Sequence, residues 1–301
     1  MRRNSVKRNE ELIGRPGMNK NNNVVAGIVT YNPELNRLKE NIEHIISQVG
    51  EIIIFDNGST NSNEIEGVAQ SYKNRVVVEK STKNRGIAYA LNRLCEWSIK
   101  NKYEYMITLD QDSVCPAYMI DTLMGCMTEN VAVTAPNIVY RHNEAFALHK
   151  TGMEDVDWVI TSASLTKLKA WNKVGGFDEA LFIDGVDRDF CIRLRRAGYR
   201  IIKSYDSELI HELGKLKCRK ICGRTIYVTN HSPLRKYYMT RNVIYLDRKL
   251  KENRRFSSIG KNLIKTILYE DNKIKKIEAI CDGIKDGMKM RSIYITKKSM
   301  E

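Results

Sequence analysis

The chain has 301 residues, 42% of them hydrophobic and 29% charged, a composition ordinary for a soluble globular protein of one large domain or one domain with an appendage. It contains no run of eighteen apolar residues and no apolar region near its first residue, which argues against a membrane-spanning helix and a secretory leader. Its formal net charge of +14, from 50 basic and 36 acidic residues, points to a polyanionic neighbour: nucleic acid, an anionic membrane or a phosphorylated substrate.

Met1 to Asn23 is polar, basic and Asn-rich, and reads as a disordered segment. Val24–Thr30 is a short β-branched apolar run, the pattern of a buried strand. Pro33 opens a helix through about Gln48, with Leu35, Leu38, Ile42, Ile45 and Ile46 on one face. A second strand, Glu51–Phe55, ends in the loop signal Asp56-Asn57-Gly58-Ser59, and a polar helix follows. Arg75–Glu79 reads as a third strand, Gly86–Ile99 as a helix, and Tyr105–Leu109 as a fourth strand that stops at Asp110-Gln111-Asp112. This alternation predicts an α/β fold, a mostly parallel sheet with helices on both faces. Ligands then bind beyond the carboxyl ends of the strands, where Thr30-Tyr31-Asn32, Asp56-Asn57 and Asp110-Gln111-Asp112 converge. Farther on, Val131–Ala135 and Asp157–Ile160 are expected strands, and Asp187–Ala197 a helix closed by Gly198. From Pro233 the chain reads as helices in which basic residues outnumber acidic ones by roughly two to one. The expected division is a tail 1–23, a catalytic domain 24–232 (nucleotide half 24–112, acceptor half 113–232) and a basic helical region 233–301.

Asp110 and Asp112, one residue apart after a strand, can hold a hard divalent cation, because Mg²⁺ and Mn²⁺ favour one or two carboxylates plus phosphate oxygens. Asp56 can accept a hydrogen bond from the imide N–H of a uracil or thymine ring, or can serve only as a turn former. Arg85 stands before a helix start that favours anions, and is equally an ordinary basic loop residue. Asp187 can deprotonate a hydroxyl or simply favour its helix N-terminus. The seven cysteines are scattered; Cys218 and Cys222 form a close pair without a second pair beside it, so free thiols in a reducing cytoplasm are expected.

Taken in order, TYN and DNGS after strands, NRGIAYALN, DQD after a strand, and GGFDEALFIDGVDRDFCIRLRRAGY resemble family 2 glycosyltransferases of the GT-A fold. The similarity is closest to bacterial rhamnosyltransferases of surface-polysaccharide synthesis. It covers Val24 to His211 and extends to Tyr237–Asn242. The resemblance implies that Thr30, Tyr31, Asn32, Asp56, Asn57, Arg85, Asp110, Gln111 and Arg241 bind the nucleotide sugar. It implies Asp110, Asp112 and His211 at a divalent metal, Asp187 as catalytic base, and Trp158, Ser162 and Asp184 at the acceptor. Many relatives carry Glu before the base, where this chain has Val186, and Ser-Gly where it has Ser162-Ala163.

The expected activity is inverting transfer of a hexosyl group, L-rhamnose from dTDP-rhamnose or a hexose from a UDP donor, to a lipid-linked saccharide. A nucleotidyltransferase would want a glycine-rich basic loop after the first strand, which Thr30–Pro33 is not. Nucleic acid is not an expected partner, because the excess charge lies in the C-terminal region without an aromatic-rich or helix-turn-helix signature. Between Phe256 and Ile284 the apolar spacing gives basic amphipathic helices. These are expected to dock a cytoplasmic, peripheral enzyme on the anionic inner face of the cytoplasmic membrane, with packing on the catalytic domain or a homodimer as alternative uses.

Overall fold

The computed structural model describes residues 22–140, 150–211, 217–221, 224–251 and 255–290. The segment expected to be disordered lies outside them, apart from Asn22 and Asn23. The first half follows the predicted rhythm: β1 (Val24–Thr30), α1 (Leu35–Ile45), β2 (Ile52–Asp56), α2 (Ser62–Gln70), β3 (Val76–Lys80), α3 (Ile87–Lys100) and β4 (Tyr105–Asp110). Then come α4 (Met119–Gly125), β5 (Val131–Tyr140), β6 (Met153–Asp155), β7 (Ser164–Lys167), α5 (Leu168–Lys173), α6 (Val186–Arg196) and β8 (Arg200–His211). A hairpin of β9 (Lys217–Ile221) and β10 (Arg224–Val228) leads to α7 (Pro233–Leu250), α8 (Arg255–Tyr269) and α9 (Lys273–Lys289).

Eight strands form one sheet in the order β3-β2-β1-β4-β7-β5-β8-β6. β1 to β4 are parallel, β7 runs antiparallel between β4 and β5, and β5 pairs parallel with β8. Period-two alternation splits the strands between two cores. Val25, Ile53 and Phe55 face the core shared with α3, α5, α6 and α7, whereas Val24, Ala26, Ile28, Ile52 and Ile54 face α1, α2 and α4. The helices thus cover both faces of the sheet, as the alternation predicted.

Two local expectations are corrected. Asp157–Ile160 is irregular; the strand lies just upstream at β6, an edge strand exposed along its length. Ser164–Lys167, unmarked in the sequence, is the strand that joins the two halves of the sheet. Helix α7 shares the main core: Tyr245, Leu246 and Leu250 pack in the same cluster as Phe177, Leu181, Val186 and Phe190.

Candidate active site

Register brings the three polar strand ends side by side, with Thr30 opposite Asp56 and Val29 opposite Asp110. Side chains then tie the loops together. The backbone N–H of Tyr31 donates to Gln111 Oε1 (2.9 Å), and that of Asn32 to Ser59 Oγ (2.8 Å). Asn57 Oδ1 accepts from the Arg85 backbone N–H (2.9 Å), while its Nδ2 donates to the Gly86 carbonyl (3.1 Å). Asn41 Nδ2 on α1 donates to the Asp110 carbonyl (2.7 Å), and the buried hydroxyls of Ser113 and Ser162 meet at 3.2 Å.

Asp56 is fully buried. Its Oδ1 accepts from the Ser59 backbone N–H (3.1 Å), but Oδ2 has no hydrogen-bond partner. The neighbouring Thr30 Oγ1 is also buried and unpartnered. Buried polar atoms are nearly always paired, so two orphans beside one another at the sheet mouth are groups that a polar ligand could satisfy. Tyr31 stands 49% exposed at the same rim. Arg85 is exposed, with its guanidinium 3.7 Å from the centroid of the Tyr89 ring.

Asp110 closes β4, and Asp112 is exposed two residues on. Two hard carboxylates at a strand end fit Mg²⁺ or Mn²⁺, which complete their shells with phosphate oxygens and water. Among the described residues no group of three or more His, Cys, Asp or Glu side chains is placed to hold a metal ion. His211 ends β8 beside Tyr140, and its side chain lies outside the described residues, as do those of Cys218 and Cys222.

Asp187 sits in the first turn of α6 and lines a small hollow with Thr108, Thr161 and Ser164. Thr108 lies two residues before Asp110, and Thr161 precedes the Ser162 that meets Ser113, so this hollow adjoins the strand end that bears the acidic pair. Burial, reinforced by the charge of Asp184, raises the Asp187 carboxyl above the usual aspartate range, against the opposing bond from the Arg188 N–H (2.8 Å). A carboxylate so raised is a better proton acceptor.

The loop before α6 is strained and held from several sides. Phe182 (φ 60°), Asp184 (φ 65°) and Gly185 (φ 85°) all occupy the left-handed region, which persists where the surroundings over-determine it. From α7, the buried Asn242 donates through Nδ2 to the carbonyls of Leu181 (2.7 Å), Ile183 (2.7 Å) and Asp184 (2.8 Å). Lys249 Nζ bridges Asp178 Oδ2 (2.6 Å) and Asp189 Oδ1 (2.7 Å), and Tyr245 donates to Asp178 (2.7 Å). From α3, the Ile87 N–H donates to the Phe182 carbonyl (2.6 Å). A Cβ at Gly86 (φ 88°) would lie 2.6 Å from that carbonyl oxygen, so glycine is required there.

Asn92, which closes NRGIAYALN, donates to the Phe177 carbonyl (2.9 Å) and accepts from its N–H (2.8 Å). Asn242 closes the motif Tyr237–Asn242, whereas no local signal in the sequence marks Tyr245 or Lys249 as parts of this scaffold. Arg241, expected at the nucleotide sugar, instead donates to the carbonyls of Ala180 (2.5 Å) and Leu181 (3.1 Å) and lies over Tyr238. Asp184 is engaged by Arg235 in a two-point ion pair (3.0 and 3.2 Å) on the wall of an open cleft of about 310 Å³. Trp158 is 46% exposed. Ala163 holds φ 56°, a conformation glycine adopts more readily, and its N–H donates to the Thr108 carbonyl (2.7 Å).

Comparison with known proteins matches residues 26–194 to the family described as Glycosyl transferase family 2. The chain is 32% identical over 293 residues to dTDP-rhamnosyl transferase RfbF of Shigella flexneri, covering 88% of this chain and 96% of that protein. GalNAc-T7, solved with UDP, GalNAc and Mn²⁺, shares the fold with a TM-score of 0.61 at 14% identity, over 91% of this chain; this chain spans only 57% of that one. The mannosyltransferase PcManGT of Pyrobaculum calidifontis, solved with GDP-Man and Mn²⁺, has a TM-score of 0.57 at 14% identity, over 96% of this chain and 83% of that one.

Proposed function

The chain belongs to glycosyl transferase family 2, and from that premise we propose that it moves L-rhamnose from dTDP-rhamnose to a hydroxyl of a growing, lipid-linked surface saccharide, inverting the anomeric centre. The observation that carries the reading is Asp187: a half-buried carboxylate raised above its ordinary range, lining a hollow that adjoins the strand end bearing Asp110 and Asp112. The orphaned Oδ2 of Asp56 and Oγ1 of Thr30 support a nucleotide in the crevice, with Asp56 accepting from the imide N–H of the base. Tyr31, Asn32, Asn57, Arg85 and Gln111 form the rim along which the nucleotide sugar lies.

Asp110 and Asp112 would hold Mg²⁺ or Mn²⁺, which when bound supplies Lewis-acid stabilisation of the leaving diphosphate. Asp187 accepts the acceptor proton as the hydroxyl attacks, a contribution of about 10²–10⁴ in rate. One base and a single in-line displacement give inversion, the logic that separates inverting from retaining glycosidases. Trp158 and Ser162 belong to the acceptor side, and a lipid-linked acceptor would be met at the cytoplasmic face of the membrane.

An Asp56 contact serves thymine and uracil alike, so the donor is decided by assay. Purified protein is offered dTDP-rhamnose, UDP-galactose, UDP-glucose and UDP-N-acetylglucosamine with Mg²⁺ or Mn²⁺, and released nucleoside diphosphate is measured. Release from dTDP-rhamnose above the others is expected. Preference for a UDP sugar would overturn the rhamnosyl assignment, and inactivity with every donor and acceptor would overturn the transfer reading.

A further inference from the structure

Helix α8 carries apolar side chains on two sides. Inward, Thr266 is buried among half-buried Ile259, Asn262 and Leu263, and Glu270, just past the helix end, is buried as well. Outward, Ile264 is 58% exposed and Leu268 56%, with Ile267 beside them and Ile274 of α9 exposed at 75%. Ile264 and Leu268, one turn apart, share that side with exposed Ser257 and Lys261. A helix that served only to complete the fold would bury Ile264 and Leu268 too.

The inward side explains why it does not. Glu270, fully withdrawn from solvent, is bonded by two buried ammonium groups: Lys236 of α7 at 2.6 Å and Lys276 of α9 at 3.0 Å. Lys236 also donates to Asn262 Oδ1 (2.7 Å), and Lys276 to Asn230 Oδ1 (2.6 Å). Rotating α8 to hide Ile264 and Leu268 would draw Glu270 out from between the two lysines and strand both charges in the interior, a strongly unfavourable change. The buried ionic cluster fixes which side of α8 faces out.

We propose that the outward stripe of α8, with the start of α9, docks this protein on an anionic lipid surface. Lys261, Lys273 and Lys275 are exposed around the apolar residues, Lys265 is half-exposed, and α8 carries no acidic residue, so that basic groups outnumber the exposed Glu278 of α9 on this face. Apolar side chains ringed by lysine match a bilayer with anionic headgroups. A second copy of the chain matches poorly, because a two-fold contact through this stripe would set the same lysines against one another. Among the described residues no helix is long and apolar enough to cross a membrane, so the stripe would lie in the interface. The docking gives the lipid-linked acceptor of the proposed reaction a place to be met, and in that sense rests on that reading, but it is measured without turnover.

The full chain is co-sedimented with phosphatidylglycerol/phosphatidylcholine vesicles and with phosphatidylcholine alone, at low and high salt. Binding to the anionic vesicles at low salt, weakened at high salt and absent from phosphatidylcholine, is expected. The variant I264E/L268E alters two exposed positions and should keep the wild-type melting temperature and the wild-type rate on a soluble acceptor, while its vesicle affinity falls by about tenfold or more. Three outcomes overturn the proposal: no binding to anionic vesicles, equal binding to neutral ones, or a variant that binds like wild type. A solution dimer that I264E/L268E dissociates would also overturn it and identify a second copy as the occupant. Protein that binds anionic vesicles yet transfers no sugar supports docking and counts against the transfer reading alone.

Discussion

Asn242→Ala tests whether α7 holds in place the loop that precedes the proposed base, Asp187. The lost amide reaches three carbonyls, at 2.7, 2.7 and 2.8 Å, from a side chain only 2% exposed, so water cannot readily replace it. An NH₂ group has two hydrogens, so the three contacts amount to about two full bonds. Each is worth about 1 kcal/mol net, and each buried acceptor left alone costs about 1–3 kcal/mol, so a loss of about 2–4 kcal/mol is expected. Domains have about 5–15 kcal/mol of stability, and the variant should therefore remain folded. The loop it releases holds Phe182, Asp184 and Gly185 at positive φ and leads directly into Asp187. A base displaced by about 1 Å costs on the order of 10² in rate, so kcat should fall by about that factor. KM for the donor should stay within a few-fold, because the proposed nucleotide contacts come from the ends of β1, β2 and β4 and from Arg85 before α3, none of them on the released loop. Asn242 Oδ1 accepts from the Arg241 guanidinium (2.9 and 2.8 Å); Asn242→Asp keeps the volume and that acceptor but turns a carboxylate oxygen toward three carbonyl oxygens, and should do no better than alanine. Urea denaturation gives the stability, and initial rates over a range of donor give kcat and KM. An alanine variant within about 0.5 kcal/mol of wild type, or an aspartate variant as stable as wild type, would refute the reasoning.

Three further outcomes follow from the site. Asp187→Asn should leave donor affinity by calorimetry nearly unchanged while kcat falls by about 10²–10⁴. Burial raises this carboxyl, so between the ordinary aspartate value of about 3.9 and the folded value the native state binds more protons than the unfolded one, and stability falls as pH rises through that window. At neutral pH the asparagine variant should therefore melt higher than wild type; a lower melting temperature would mean the carboxylate is structural. Asp56→Ala should weaken binding of free dTDP or UDP by about 1.5–3 kcal/mol, roughly ten- to hundredfold in Kd, and unchanged affinity would return Asp56 to the status of a turn residue. Excess chelator should abolish turnover and Mg²⁺ or Mn²⁺ restore it; full activity in chelator would remove Asp110 and Asp112 from the role of metal ligands.

The placement of polar residues at the strand ends was legible in the sequence because each signal there is local. An apolar β-branched run such as Val24–Thr30 or Ile52–Phe55 can hardly be anything but a buried strand, and the polar residue that ends it falls at the sheet mouth in any parallel sheet. That local logic found Thr30, Asp56 and Asp110, and it found Asp187 at its helix start. It failed where the deciding partner is far along the chain. Ser164–Lys167 is too short and too polar to announce itself as the strand that joins two half-sheets. Asp178 and Asp189 stand eleven residues apart in one acidic stretch with nothing nearby to mark their partner, and only the fold brings Lys249 to both. Periodicity revealed that α8 is two-faced, but an amphipathic pattern has no absolute direction: the same spacing of Ile264 and Leu268 serves a core or a surface. The direction is set by Glu270 lying between Lys236 and Lys276, two charges 34 and 6 residues away in sequence that meet it only when three helices have packed.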